Sequence, residues 1–154
     1  MPGSPPASQP GAVLFACNFN RVRSPMAEAL LKRLVGDRVY VDSCGLKYPP
    51  VDPEEMAGVD PFVAAVMAEV GCDLSRHRVK TFEDLEDNSF DLVISLTPQS
   101  QHRAVEMARG RAAEIEYWPV FDPTLTEGSR EARLSAYRDV RDALAARIAK
   151  RFAP

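Results

Sequence analysis

The sequence predicts an α/β fold in which a parallel sheet carries helices on both faces. Residues 12–16 are a continuous apolar run, and residues 91–96 are apolar except for Asp91 and Ser95; both runs are typical of strands buried on both faces. A Ser-Pro or Thr-Pro pair that can begin a helix follows each run, so strands alternate with helices along the chain. At 154 residues, the chain has the length of one ordinary domain.

The first part of the chain is expected to form a tail, a strand and a helix. Residues 1–11 contain four prolines and two glycines, which predicts a disordered tail ahead of a single domain over residues 12–154. After the first strand, Ser24 as N-cap and Pro25 at the first helical position predict a helix that ends at Gly36. The residues expected on its core face are Ala27, Leu30, Leu31, Leu34 and Val35.

The middle of the chain is expected to add a strand, a long loop and a second helix. Residues 38–43 form the second predicted strand, and the Pro- and Gly-rich residues 44–59 form the loop. A helix capped by Asp60 runs to Gly71, and residues 81–87 form a short helical turn. The apolar stripe of that helix comprises Phe62, Val63, Val66, Met67 and Val70.

The last part of the chain repeats the alternation. Thr97 and the proline after it begin a third helix, and the alternating residues 114–118 predict an edge strand. A final helix covers residues 129–152, with these residues inward: Leu134, Tyr137, Val140, Leu144 and Ile148. Ligands of such a sheet bind beyond the carboxyl ends of its strands, and the first strand ends at Cys17.

Composition excludes several classes of protein. The 19 basic and 22 acidic residues give a formal net charge of −3, and the basic ones are scattered, so we expect neither nucleic acid nor a membrane as partner. No apolar run approaches a membrane span, and the first residues do not resemble a secretory signal. Cys17, Cys44 and Cys72 are too few for a disulfide scaffold or a four-cysteine zinc site. We therefore expect a cytoplasmic domain.

The segment after the first strand contains the candidate catalytic and anion-binding residues. Cys17 is followed at a spacing of Cys-x5-Arg-Ser by Arg23 and Ser24, between a strand and a helix N-terminus. Backbone N–H groups there can converge on an anion, and the same field favours the thiolate form of Cys17, the nucleophile. Arg23 can fork two hydrogen bonds onto an oxyanion, and Ser24 can steady the sulfur as a leaving group. The loop residues expected around the anion are Asn18, Phe19, Asn20, Arg21, Val22 and Arg23.

A plainer interpretation of this segment is a small buried cysteine, a solvated arginine and an ordinary serine cap. The position at a strand-to-helix turn favours the catalytic interpretation, because location and chemistry agree.

With these residues in hand, the chain resembles the low-molecular-weight protein tyrosine phosphatase family. The family signature is a strand followed by Cys-x-x-Asn-x-x-Arg-Ser-x-Met-Ala-Glu. The residues that fit it are Cys17, Asn20, Arg23, Ser24, Met26, Ala27 and Glu28. The resemblance continues through Val41-Asp42-Ser43, Leu74-Ser75-Arg76-His77 and Asp122-Pro123, and covers the chain from residue 12 onward. It implies a four-stranded parallel sheet in the order 2-1-3-4, in three layers.

The resemblance implies a phosphatase that acts on phosphomonoesters, in particular phosphotyrosine on proteins, and releases inorganic phosphate. Cys17 would form a cysteinyl-phosphate, and Asp122 would be the general acid and then the general base. Asn20, Ser43 and His77 match positions whose hydrogen bonds hold the phosphate loop. No metal or other cofactor is implied, and His102 has no matching position, so we expect it on the surface.

The sequence departs from the family pattern at the loop and beside the acid. Phe19 stands where members have a small residue, Arg21 where Ile, Ser or Thr is common, and Val22 where many have a second cysteine. Thr124 and Leu125 replace the aromatic pair that follows Asp-Pro and walls the phosphotyrosine slot. Phe19 is a candidate replacement for that aromatic wall.

Two alternatives to the phosphatase remain open. Thioredoxin-coupled arsenate reductases share the fold and the loop, but they need two further cysteines after the third strand, and residues 96–120 contain none. The other alternative is a domain that binds phosphate or a phosphoprotein without turnover. The sequence leaves the preference among phosphotyrosine, phosphoarginine and small phosphoesters open.

Overall fold

Four parallel strands form the sheet of the computed structural model, which describes residues 10–52, 54, 58–86 and 89–153. The strands are β1 (Ala12–Cys17), β2 (Tyr40–Gly45), β3 (Leu92–Ser95) and β4 (Glu114–Tyr117). They lie in the order β2-β1-β3-β4, with every pair parallel. The predicted fold class and strand order are confirmed.

Within the described part of the chain, four helices cover the two faces of this sheet. They are α1 (Arg23–Val35), α2 (Pro61–Ala68), α3 (Pro98–Ala108) and α4 (Arg130–Phe152). Helices α1, α2 and α4 pack in one apolar cluster, while α3 lies in a second cluster on the opposite face. Because side chains alternate along a strand, Cys17 faces the first cluster and Ala16 the second.

The predicted helix starts are confirmed for three helices and wrong in detail for α1. Asp60, Thr97 and Ser129 each accept a hydrogen bond from a backbone N–H in the first turn of α2, α3 and α4. Helix α1 begins at Arg23 with Val22 as its N-cap, and it has no side-chain cap. Ser24 lies within the helix, because its hydroxyl is hydrogen-bonded to groups beside Cys17 instead.

Other boundaries are shifted by a few residues. Residues 36–38 form a 3-10 turn, so the second strand begins at Tyr40 rather than at residue 38 and extends to Gly45. Leu34, expected in the core, is 37% exposed. The predicted helical turn near residue 81 is a 3-10 helix over Phe82–Asp84. The inward residues expected for α4 are all buried: Leu134, Tyr137, Val140, Leu144 and Ile148.

The amino-terminal edge of the domain is tied to the sheet at Gly11. Its N–H donates to Asp91 Oδ2 at 2.8 Å, and its carbonyl accepts from the N–H of Tyr40 at 2.9 Å. Residues 1–9 of the predicted tail lie outside the described residues. None of the helices that the structure describes has the length and apolarity needed to cross a membrane.

Candidate active site

A cavity of about 160 Å³ lies at the carboxyl end of β1, where the loop 17–23 leads into α1. The loop occupies the sheet edge at which ligands of parallel α/β folds bind. The residues that line this cavity are Cys17, Phe19, Arg21, Val22, Arg23, Pro49, Pro50, Val51, Asp60, Asp122 and Thr124. The structure therefore brings Cys17, Arg23 and Asp122 to one cavity across a separation of about a hundred residues in sequence.

The Cys17 sulfur lies at the base of the cavity. Its Sγ is 2.9 Å from the Ser24 Oγ, and the residue is 3% exposed. Ser24 is itself fully buried, and its hydroxyl also lies 3.4 Å from the carbonyl of Cys44. A hydroxyl in this position can donate a hydrogen bond to a thiolate, as the sequence predicts.

Asn20 connects the loop to the elements around it. Its backbone φ of 59° lies in the left-handed region, which asparagine tolerates better than most residues. Its Nδ2 donates to Ser24 Oγ at 2.8 Å and to Ser43 Oγ at 2.9 Å. Its Oδ1 accepts from the N–H of Lys80 at 3.1 Å, and its carbonyl lies 2.9 Å from His77 Nε2. These contacts join the three residues that the resemblance assigned to loop support.

Charged groups surround these supports. Ser43 Oγ donates to Glu28 Oε1 at 2.5 Å, and Lys80 pairs with Asp42 at 2.6 Å. Burial lowers the pKa of His77 below its ordinary value, although the hydrogen bond to Asn20 and the Glu28 carboxylate act in the opposite direction. A neutral His77 can still donate from Nε2 to the Asn20 carbonyl.

Arg23 and Asp122 meet at the side of the cavity. Arg23 donates from Nη1 to the Val120 carbonyl at 3.1 Å, and its Nη2 lies 3.9 Å from Asp122 Oδ2. Asp122 Oδ1 accepts from the N–H of Thr124 at 3.0 Å and from its hydroxyl at 2.6 Å. One carboxylate oxygen of Asp122 is thus held by Thr124, while the other lies toward Arg23.

Gly45 is a site-forming residue that the sequence reasoning missed. A Cβ at this position would lie 2.8 Å from the Asn20 nitrogen, 2.8 Å from the Phe19 carbonyl carbon and 3.0 Å from the Asn18 oxygen. The backbone of the loop therefore rests directly on the end of β2. A glycine within a strand is a general signal of such a close approach, but it does not say which segment approaches.

A family model described as low molecular weight phosphotyrosine protein phosphatase matches residues 12–153 of this sequence. The chain belongs to this family. The match covers the strands β1 to β4 and the helices α1 to α4 described above, and it includes the residues named as lining the cavity.

Similar members of the family bear two kinds of name. An arsenate reductase of Halalkalibacterium halodurans is 33% identical over 141 residues, which are 92% of this chain and 94% of that protein. A solved structure of an arsenate reductase in the phosphate binding state has a TM-score of 0.72 at 30% identity, covering 92% of this chain and 96% of that one. A low molecular weight protein tyrosine phosphatase from T. tengcongensis has a TM-score of 0.70 at 26% identity, covering 90% and 95%.

The positions at which this family member departs from the pattern differ in their distance from the cavity. Phe19, Arg21 and Val22 line it, as does Thr124. Leu125 is 71% exposed and is not part of the lining. The aromatic pair expected beside the acid is therefore replaced by one small polar group and one exposed apolar group.

The two other thiols lie away from the cavity. Cys44 pairs with Ala16 in the sheet and shares its apolar cluster, so its side chain lies on the face opposite to Cys17. Burial raises the pKa of Cys44 well above its ordinary value, and the nearby Cys17 adds to this effect. Cys72 follows α2, whose N-cap Asp60 lines the cavity. The eight residues of this helix span about 12 Å, so Cys72 follows the end of α2 that is farther from the cavity.

Proposed function

We propose that this protein hydrolyses phosphomonoesters, with phosphotyrosine on proteins as the substrate type, through a covalent intermediate on Cys17. The observation that carries the proposal is that Cys17, Arg23 and Asp122 line one small cavity. A nucleophile, an oxyanion-binding group and a proton donor are the three functions that phosphoryl transfer to a thiol requires.

In the first step, the Cys17 thiolate attacks phosphorus. The sulfur–phosphorus bond forms while the bond from phosphorus to the ester oxygen breaks. Asp122, in its carboxylic acid form, donates its proton to the departing oxygen from Oδ2, which lies on the side of Arg23. Arg23 and the loop amides bind the other phosphoryl oxygens and spread their negative charge.

In the second step, water replaces the enzyme sulfur. The Asp122 carboxylate takes a proton from a water molecule, the water oxygen attacks phosphorus, and the sulfur–phosphorus bond breaks. Ser24, at 2.9 Å, donates a hydrogen bond to the thiolate that leaves. Inorganic phosphate departs, and Asp122 is again protonated for the next cycle.

The test is turnover of p-nitrophenyl phosphate and of a phosphotyrosine peptide by the wild type, Cys17→Ser and Cys72→Ser. We expect Cys17→Ser to lower kcat by roughly 10⁴-fold or more, because it removes the nucleophile. Cys72→Ser is the matched control, because Cys72 lies outside the cavity, and it should keep the wild-type rate. Tight phosphate binding without turnover would instead favour a phosphate-binding domain.

Arsenate reduction is the second candidate, and the names of similar proteins favour it. In that reaction Cys17 would attack arsenate with loss of water. An external thiol would then attack the Cys17 sulfur, forming a mixed disulfide as arsenite leaves with the electron pair. A second external thiol would release Cys17 and form the external disulfide. These thiols would have to be external, because Cys44 faces the opposite layer and Cys72 lies beyond α2.

The two candidates are separated by supplying arsenate with a thiol system. We would measure NADPH consumption in the presence of thioredoxin and its reductase, and separately with glutathione, glutaredoxin and glutathione reductase. The phosphatase proposal expects arsenate to inhibit p-nitrophenyl phosphate hydrolysis competitively without consuming NADPH. Sustained NADPH consumption that Cys17→Ser abolishes and Cys72→Ser does not would assign the protein to arsenate reduction.

A further inference from the structure

The mouth of the cavity has an apolar side made by an aromatic ring and a proline pair. Phe19 lines the cavity together with Pro49, Pro50 and Val51. The cavity, at about 160 Å³, is smaller than the pockets of roughly 300–1,000 Å³ that hold drug-sized ligands. A space of this size admits a phosphoryl group and a small planar substituent, and its apolar side favours an aromatic ring.

Phe19 is fixed in this position by the segment that follows β2. Gly45 rests against the Phe19 backbone, and the Asn18 carbonyl accepts from the N–H of Leu46 at 2.9 Å and of Lys47 at 3.2 Å. The Lys47 ammonium lies 5.8 Å from the centre of the Phe19 ring. The ring is part of the cavity wall, and the positive charge of Lys47 lies beside it.

Arg21 contributes a positive charge to the cavity lining in addition to that of Arg23. Its Nε donates to the Gly58 carbonyl at 3.2 Å, and its own carbonyl accepts from the N–H of Asp60 at 3.1 Å. These bonds anchor the residue through its Nε and its backbone. Among the described residues, no carboxylate forms an ion pair with Arg21.

The two carboxylates of the cavity are engaged elsewhere. Asp60 accepts from the N–H of Phe62 at 2.8 Å and from the Tyr137 hydroxyl at 3.2 Å. Asp122 accepts from Thr124 and lies 3.9 Å from Arg23. The charge of Arg21 is thus left without a protein counter-ion in the described structure.

We propose that Phe19 and Arg21 determine substrate specificity, selecting an aryl phosphate whose ring packs on Phe19 and which carries a carboxylate that Arg21 binds. On a protein substrate, this is phosphotyrosine flanked by acidic side chains. The inference rests on the proposed function, because it assigns the substrate class of the same site. A guanidinium can bind a carboxylate through two parallel hydrogen bonds, and a flanking lysine would be repelled.

The experiment compares three phosphotyrosine peptides that differ only in flanking residues: glutamate, glutamine or lysine. For the wild type, we expect kcat/KM for the acidic peptide to exceed that for the glutamine peptide by about two- to fivefold, which corresponds to the contribution of an exposed ion pair. The preference should decline with added salt. Arg21→Gln should abolish it, and Arg21→Lys should keep part of it, because lysine keeps the charge without the planar fork.

The role proposed for Phe19 is tested with phosphoserine and phosphotyrosine peptides of otherwise identical sequence. Phe19→Leu should reduce the preference for phosphotyrosine by roughly two- to tenfold, which is the contribution expected of an aromatic pair. The matched controls are Arg109→Gln, at the far end of α3, and Phe121→Leu, an aromatic residue that is 60% exposed and outside the cavity lining. Both should leave the ratios unchanged.

A binding measurement keeps this inference separate from the proposed function. Calorimetry with Cys17→Ser measures the affinity of the same peptides without turnover. If the wild type turns over no phosphomonoester but Cys17→Ser still prefers the acidic peptide through Arg21, the proposed function fails and the specificity stands. Equal affinity for the three peptides, or a preference that survives Arg21→Gln, overturns the inference whatever the turnover.

Discussion

The base of the cavity, formed by Cys17, Asn20, Ser24 and Ser43, is held by hydrogen bonds between buried groups, whereas its mouth is formed by partly exposed side chains. Asn20, Ser24 and Ser43 are fully buried. At the mouth, the Asp122 side chain is 31% exposed, and Thr124, which lines the cavity beside it, is exposed. Changes at the base disturb many partners at once, while changes at the mouth disturb few.

Similar proteins in the family are named for two activities. Thiolate attack on a tetrahedral oxyanion is the first step of both phosphate ester hydrolysis and arsenate reduction. In the proposed mechanism, the base of the cavity serves that shared step. The two activities differ in the group that attacks the covalent intermediate on the thiol. In ester hydrolysis it is water, activated by a carboxylate at the mouth, and in arsenate reduction it is a second thiol.

The largest expected effect is oxidation of the single thiol at the base. Peroxide should remove all Cys17-dependent activity, because it converts the thiolate to a sulfenic acid and then to a sulfinic acid. We expect the activity recovered with dithiothreitol to fall as exposure lengthens. Cys44 is on the opposite face, and burial raises its pKa, so it is not placed to capture the sulfenic acid.

Peptide mass spectrometry after graded peroxide treatment checks this expectation. Bound phosphate should slow the loss, because it covers the sulfur. A Cys17–Cys44 disulfide with full recovery of activity would show that β2 rearranges to bring the two thiols together, contrary to the register of the sheet.

The next largest effect is expected at the mouth of the cavity. Asp122→Asn should lower kcat for phosphotyrosine by about 10²–10⁴-fold, the usual contribution of a general acid. For 2,4-dinitrophenyl phosphate, whose leaving group needs no proton, the loss should be much smaller. Steady-state kinetics over aryl phosphates of graded leaving-group acidity measures the difference.

Thr124→Val is the matched variant for Asp122, because it removes the hydroxyl that donates to Asp122 Oδ1 but leaves the carboxylate. It should lower kcat only severalfold. An equal loss for all leaving groups in Asp122→Asn would mean that Asp122 is needed to shape the segment rather than to transfer a proton.

The local parts of the site could be predicted from the sequence. The spacing from Cys17 to Arg23 and Ser24, placed between a buried strand and a helix, indicated the loop that lines the cavity, and that its ligand is an oxyanion stays a prediction. The role of Ser24 as N-cap was wrong, because a serine at a helix start is usually a cap, and nothing local shows that another group takes its hydroxyl. Tertiary contacts overrode the local preference.

The parts of the site that depend on distant segments could not be predicted from the residues alone. The cavity walls at Pro49, Pro50 and Val51 come from a loop whose composition indicates only a turn-rich segment. Gly45 contacts the loop because β2 lies beside β1 in register, with Gly45 opposite Cys17. The positions of Ser43 and His77 were expected only through the family resemblance.

Gly45→Ala tests how tightly the base is built. Its Cβ would lie 2.8 Å from backbone atoms of the loop, so the loop must shift. We expect kcat for p-nitrophenyl phosphate to fall by roughly ten- to a hundredfold, because a displacement of about 1 Å can cost that much. Gly58→Ala is the control, since a Cβ there would meet none of the described residues within 4 Å. Unchanged kinetics in Gly45→Ala would mean that the loop adapts without loss.

The smallest effect is expected for Ser43→Ala, which removes one of the supports of Asn20. The Nδ2 of Asn20 would keep its bond to Ser24, and its Oδ1 and carbonyl would keep Lys80 and His77. We therefore expect kcat to fall only severalfold, with a loss of about 1–3 kcal/mol in the free energy of unfolding, because a buried Asn20 N–H loses its acceptor.

Ser129→Ala separates these two consequences. It removes the N-cap of α4 and should cost about 0.5–2 kcal/mol of stability without touching the cavity. Urea unfolding and phosphatase kinetics on both variants give the comparison. We expect similar shifts in the unfolding midpoint, with kcat lowered in Ser43→Ala alone. If both variants keep the wild-type kcat, Ser43 stabilises the fold and does not position the loop, and the remaining contacts of Asn20 are sufficient to hold the base of the cavity.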